Sequence, residues 1–125
     1  MIKQGESGKE LYLGTYVDLS QHTELIVRFT SPSGQVFERG SADGVTAPLE
    51  ESPILPANGE FSGGSFVAGT YIKYIIQERD FTEPGEWKIC TRYENDNVDP
   101  PEIYMGDVVL QNVGSCCGEP LEYSA

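Results

Sequence analysis

Short alternating runs of apolar and polar residues predict β-strands along most of the chain. In "TELIVRFT", Leu25, Val27 and Phe29 fall on one face and the residues between them on the other, as in a half-buried antiparallel strand. The Pro and Gly of "SPSGQ" suit a turn, so "QVFER" is predicted to return as the second strand of a hairpin. Because Gly and Pro recur so often, no helical period is sustained over ten residues.

Two later runs alternate in the same way. "SFVAGTYIKYIIQ" divides into one face with Ile72, Tyr74 and Ile76 and another with Tyr71, Lys73, Ile75 and Gln77. In "EWKICTRYE", the core face is predicted to hold Trp87, Ile89, Thr91 and Tyr93, opposite Lys88, Cys90 and Arg92. Aromatic and β-branched residues dominate both runs, which favours strands over helices.

The remaining strands and their connections complete the predicted fold. A first strand or strand pair is expected near residues 9 to 19, bent at Gly14, and a last strand near "GDVVLQNV". The turn in "FTEPGEW" would carry the chain between sheets and bury Trp87, with Asp80, Glu83 and Glu86 in solvent. We therefore expect an all-β protein, a single antiparallel β-sandwich of about seven strands over residues 1–113, followed by a flexible tail over 114–125.

Residues 40 to 64 form a long irregular stretch, which is uncommon in a small domain unless it has a function. Its apolar residues are either an arm that contacts a partner or a cover for the edge of the domain's own sandwich, and the sequence favours neither reading. The candidate contact residues are Pro53, Ile54, Leu55, Pro56 and Phe61.

Residues 94 to 104, "ENDNVDPPEIY", are predicted to form an acidic loop. Glu94, Asp96, Asp99 and Glu102 could supply oxygen ligands to calcium, but the spacing of an EF-hand is missing and a solvated loop is favoured. The loop could instead meet a basic patch on a partner, which would guide register more than affinity. Asp96, Asp99 and Tyr104 are its candidate contact residues.

The formal charge of −12 makes nucleic acids and anionic membranes poor candidate partners. No run is long and apolar enough for a signal peptide or a membrane span, so synthesis in the cytoplasm is expected. The three cysteines, Cys90, Cys116 and Cys117, do not form a disulfide framework.

Motifs that carry chemistry are weak or missing. "GGSFV" is not a nucleophile elbow, "GESGKE" lacks the spacing of a phosphate loop, and His22 is expected in a solvated turn. Adjacent Cys116 and Cys117 are poorly placed to chelate one zinc ion. We therefore expect no catalytic residues, no cofactor and no metal.

The order of "GKELYLGTYVDLS", "IVRFTSPSGQVFE" and "GEWKI" resembles the immunoglobulin-like modules of tailed-bacteriophage structural proteins, over roughly residues 5 to 113. The resemblance implies a non-enzymatic decoration, neck or tail protein on the exterior of the virion. Such modules act in many copies, as homo-oligomers or against other virion proteins. The alternative is a module that binds host-surface carbohydrate or protein through exposed tyrosines such as Tyr71, Tyr93 and Tyr104; a small enzyme is a third possibility.

Overall fold

The computed structural model describes residues 2–15, 17–55 and 63–115. Eight strands lie in these ranges: β1 Ile2–Lys3, β2 Glu10–Gly14, β3 Glu24–Thr30, β4 Val36–Arg39, β5 Tyr71–Ile75, β6 Gly85–Asn95, β7 Glu102–Met105 and β8 Val109–Gly114. The helical structure in the same ranges is a single 3₁₀ turn at Ser41–Asp43. Nearly all of the predicted tail, 114–125, lies outside the described residues, as do Pro56, Phe61, Cys116 and Cys117.

The strands form a six-stranded mixed sheet and a separate two-stranded sheet. The large sheet has the order β1-β8-β6-β3-β4, in which β1 runs parallel to β8 and the other pairs are antiparallel. β6 is its longest strand; β3 borders one side of it, and β7 and β8 share the other. β2 and β5 pair antiparallel as the small sheet. The all-β prediction is confirmed, but β7 lies where the sequence predicted only a loop.

The inward faces of the two sheets form one hydrophobic core. The core face predicted for β6 is confirmed, because Trp87, Ile89, Thr91 and Tyr93 are all buried. The alternation predicted for β3 and for the β5 run places one face of each in the core: Leu25, Val27, Phe29, Ile72, Tyr74 and Ile76. Leu11 and Leu13 of β2 complete the layer contributed by the small sheet. Tyr71 was predicted on the other face of β5 but is buried as well, because Phe66 from the preceding loop stacks over its ring.

The "FTEPGEW" segment does carry the chain from the small sheet to the large one, since it joins β5 to β6. Trp87 packs edge-on against Phe81, with ring centroids 5.1 Å apart, and its indole N–H donates to the Glu83 carbonyl at 2.9 Å. Gly85 takes a φ of +124°, and a Cβ there would lie 2.8 Å from Pro32. Glycine is required because both the backbone angle and the close approach exclude a side chain.

Asp80 is fully buried, so the prediction that it stays in solvent is wrong. Its carboxylate accepts hydrogen bonds from Arg39 Nε and Nη2 of β4, at 3.0 and 2.7 Å. The Tyr74 hydroxyl of β5 and the Gln77 backbone N–H donate to the other oxygen, at 2.5 and 2.8 Å. These donors compensate the cost of burying the charge, and they connect the two sheets through one carboxylate.

β7 and β8 run along the same side of β6 and are separated by residues 106–108. The Gly106 N–H donates to the Thr91 carbonyl at 2.9 Å, and a Cβ on Gly106 would lie 2.2 Å from Thr91 Oγ1. The backbone therefore approaches β6 too closely for any other residue. This bend lets both strands pair with β6 although they are not continuous.

Trp87→Ala should lower the free energy of unfolding by about 3–5 kcal/mol, because it removes a buried aromatic ring and leaves a cavity. Urea denaturation followed by circular dichroism measures the change. Leu49→Ala, at a side chain that is 74% exposed, is the control and should cost less than about 0.5 kcal/mol. Equal costs for the two variants would contradict the buried position of Trp87.

Asp80→Asn should cost about 3–5 kcal/mol, because it leaves the Arg39 guanidinium, only 14% exposed, without its counter-charge. Glu38→Gln breaks the Arg28–Glu38 pair, whose side chains are about half exposed, and should cost less than about 1 kcal/mol. Urea denaturation of both variants compares the pairs directly. A cost for Asp80→Asn as small as that for Glu38→Gln would mean that the network contributes little.

Burial, and then the hydrogen bond to Asp80, raise the pKa of the Tyr74 hydroxyl above its ordinary value of about 10. As the pH rises past that value, the unfolded chain loses this proton before the folded chain does, so stability is lost. Tyr74→Phe removes this contribution. The stability gap between wild type and Tyr74→Phe should therefore narrow between about pH 8 and about pH 11. Urea denaturation at the two pH values tests this, and an unchanged gap would contradict it.

Candidate functional site

The predicted contact stretch, residues 40 to 64, supplies one side and part of the other of a two-sided loop, which we call the arm, formed by residues 48–55 and 63–69. Its two sides are joined by backbone hydrogen bonds: Leu55 and Gly64 exchange a pair at 2.9 and 3.0 Å, and the Ser52 N–H donates to the Phe66 carbonyl at 3.1 Å. At its base, the Gly69 N–H donates to the Pro48 carbonyl at 2.9 Å. The arm is therefore a structured extension beside the small sheet.

Two contacts anchor the arm to the domain. Phe66 is buried, stacks on Tyr71 with centroids 5.9 Å apart, and lies so close to Gly14 of β2 that a Cβ there would clash with its ring. The second contact is a hydrogen bond from the Tyr71 hydroxyl to the Glu50 carbonyl, at 2.9 Å. Within the arm, the buried Ser52 hydroxyl accepts a hydrogen bond from the Phe66 N–H at 2.7 Å. One side of the arm thus covers the small sheet.

The other side of the arm presents apolar side chains to solvent. Ile54 is 85% exposed, Leu49 74% and Val67 70%; Pro53 is exposed and Leu55 half-buried. Pro56 and Phe61, also predicted contact residues, lie outside the described residues. The sequence prediction missed Leu49 and Val67, although each stands within two residues of the Pro or Gly that closes the base of the arm.

The acidic segment is a hairpin connection between β6 and β7. Asp96 and Asp99 are exposed at its tip. The Asp96 N–H donates to Thr23 Oγ1 at 3.0 Å and the Asn97 N–H to Asn95 Oδ1 at 3.0 Å, so the turn is held by neighbouring side chains. Within residues 2–15, 17–55 and 63–115, no three His, Cys, Asp or Glu side chains converge as metal ligands would.

Tyr104, the third predicted contact residue of this segment, lines an open groove of about 340 Å³. Its hydroxyl donates to the Thr15 carbonyl at 3.3 Å, and its ring packs against the core. The groove is lined by Val17, Asp18, Tyr93, Glu102, Ile103 and Tyr104. The Ser20 N–H donates to the Asp18 carboxylate at 2.9 Å and lowers its pKa, so Asp18 is ionised at neutral pH.

The three tyrosines proposed as an exposed aromatic platform are not one. Tyr71 and Tyr93 are buried, and Tyr104 is half-buried. Alternation along β5 places Tyr71 on the face opposite to the core, so the sequence alone did not indicate its burial. Phe66 of the arm covers this face of β5 at Tyr71.

No matching protein family, curated protein or solved structure was found for this chain. Among the described residues, no helix is long and apolar enough to cross a membrane. Functional inference therefore depends on the surface features of the chain itself.

Proposed function

We propose that the chain is a non-enzymatic structural component of a tailed-phage virion, a decoration, neck or tail protein that acts by multivalent protein–protein contacts. The observation that carries the proposal is the arm, which holds Leu49, Ile54 and Val67 in solvent on a backbone fixed by hydrogen bonds. A preformed apolar surface loses little conformational entropy when it binds, so it suits a contact repeated over many copies.

We also propose that the domain has an immunoglobulin-like fold, and the order of its strands supports this. In that fold, strands C, F and G are neighbours in one sheet and B and E lie in the other. The neighbours β3, β6 and β8 correspond to the first group, and β2 with β5 to the second. The parallel pairing of β1 with β8 adds a short first strand to the edge of the larger sheet.

The charge of −12 supports a position on the exterior of the particle, because packaged DNA would repel such a surface inside the head. The partners are other virion proteins, with the exposed Asp96 and Asp99 of the acidic hairpin as a second contact that guides register.

We expect the chain to be present in tailed-phage particles purified from lysates of cells that carry its coding sequence. Quantitative mass spectrometry of gradient-purified particles measures its copy number against the major capsid protein. Multivalent contact requires several copies per particle. Absence from the particles would overturn the virion proposal.

Ile54→Ser should reduce the number of copies retained on particles, because it removes the most exposed apolar contact of the arm. Ile75→Ser, at a side chain 48% exposed on the small sheet, is the matched control and should leave retention unchanged. Both variants are supplied to particles that lack the wild-type chain, after circular dichroism has shown that they fold. Equal retention would exclude the arm as the contact.

The groove beside Tyr104 favours the alternative, a module that binds host-surface carbohydrate. Asp18 and Glu102 can accept hydrogen bonds from sugar hydroxyls, and the Tyr104 ring offers an apolar wall. Glycan-array binding by the isolated chain, lost in Glu102→Gln and unchanged in Glu38→Gln, would favour this function over the virion role.

A further inference from the structure

The large sheet has a second surface, opposite to the core, which we call the outer face. It consists of the residues of β3, β4, β6, β7 and β8 whose side chains alternate with the buried ones. The strand register sets them side by side: Arg92 lies next to Met105, Glu94 next to Ile103 and Lys88 next to Leu110. The arm contains none of these residues, and Ile103 is the one that also lines the groove beside Tyr104.

Apolar side chains lie along both sides of the outer face. Ile103, Met105 and Leu110 are about half exposed and follow one another along β7 and β8. Val36, more than half exposed, lies at the opposite edge on β4. Single exposed apolar residues are ordinary on a protein surface, but a row of them on one face of a sheet is typical of a contact surface.

The outer face carries little net charge for a chain of charge −12. Arg28, Lys88 and Arg92, three of the eight Lys and Arg residues, share it. Four carboxylates lie on the same face, those of Glu24, Glu38, Glu86 and Glu94. With the three cations they give the outer face a net charge of −1, whereas the whole chain carries −12. Two copies of this chain would repel each other through most of their surface but not here.

The charges of the outer face are only partly paired within the chain. Arg28 and Glu38 approach to 2.8 Å, while Arg92 Nε lies 3.0 Å from Glu94 in a geometry that makes a charge contact without a hydrogen bond. In the part of the chain that the structure describes, Lys88 makes no ion pair. A cation beside the exposed Leu110 is thus available to a partner.

The order of charges along β6 indicates which partner fits. Its outward positions read Glu86, Lys88, Cys90, Arg92 and Glu94, with cations inside and a carboxylate at each end. When a second β6 lies antiparallel over the first with the two-fold axis between Cys90 and Arg92, Lys88 of each copy comes toward Glu94 of the other; this register avoids the like-charge contacts of one centred on Cys90. The same rotation brings Leu110 toward Ile103. The surface is therefore complementary to itself, as an isologous two-fold interface must be.

We infer that a second copy of this chain docks on the outer face, and that the two large sheets pack face to face about a two-fold axis. Four strands about 4.8 Å apart and about seven residues long give a footprint of roughly 19 by 23 Å. This is below the ~800 Å² that each partner buries in a standard interface, so the dimer is weak and reversible. Weak pairing of this kind suits a protein presented in many copies.

The inference deepens the proposal of many copies, and it rests on that proposal only for its biological setting. The arm and the outer face are on different sheets, so different variants test them. A chain that is absent from phage particles could still dimerise, and a monomeric chain could still bind particles through its arm.

Sedimentation equilibrium of the full chain, in reducing buffer from about 10 µM to about 1 mM, should show a monomer–dimer equilibrium. The dimer should strengthen as sodium chloride rises from about 20 to about 150 mM, because salt screens the repulsion between two chains of charge −12. A chain that stays monomeric at every concentration and salt would overturn the inference.

Two pairs of variants locate the interface. Lys88→Glu should weaken dimerisation by about tenfold or more, whereas Arg79→Glu makes the same change in net charge at an exposed position between β5 and β6 and should have little effect. Leu110→Ser should also weaken the dimer, unlike Ile75→Ser, whose side chain is equally exposed, at 48%. Urea denaturation confirms that each variant is folded. Dimerisation that is unaffected by both Lys88→Glu and Leu110→Ser would place the contact elsewhere and overturn the inference.

Discussion

The buried carboxylate of Asp80 is the interaction on which the arrangement of the two sheets depends. It receives Arg39 from an edge strand of the large sheet and Tyr74 from the small sheet, and it caps the Gln77 N–H at the start of the crossover. Among the described strands, none of one sheet pairs with a strand of the other. The Asp80 network is therefore a directional link between the sheets, in addition to their hydrophobic contact. Hydrophobic packing is non-directional, whereas charge-assisted hydrogen bonds fix one geometry.

The crossover that follows Asp80 sets the position of the aromatic core. Phe81 and Trp87 flank the turn and pack edge-on, and Phe29 of β3 packs against Phe81 with centroids 5.6 Å apart. Gly85 allows the turn to pass beside Pro32 before β6 begins. A centre of this kind leaves the exposed side chains of the arm, the acidic hairpin and the outer face free to differ in sequence without loss of the fold, because they contribute little to the core.

The buried polar groups and the exposed apolar surfaces lie in different parts of this molecule. The buried carboxylate of Asp80 has structural partners, while most of the exposed large apolar side chains in the described ranges lie on the arm and on the outer face of the large sheet. Both surfaces suit protein contact, and they lie on different sheets. A protein with two such surfaces can bind a neighbour of another kind through one and a copy of itself through the other, which is the property we propose for it.

Local pattern was enough to predict β3, β5 and β6, because their alternation follows directly from one buried and one outer face. The same pattern predicted the crossover at "FTEPGEW" and the burial of Trp87. It was wrong on Asp80 and Tyr71, which are polar or amphipathic residues whose burial depends on partners distant in sequence: Arg39 for the first and Phe66 for the second. It also missed β7, since "EIYM" forms a strand only because β6 is long enough to pair with it. Sequence thus determined which residues alternate, and the tertiary structure decided which polar groups find partners and which apolar ones stay in solvent, because both depend on contacts between distant segments.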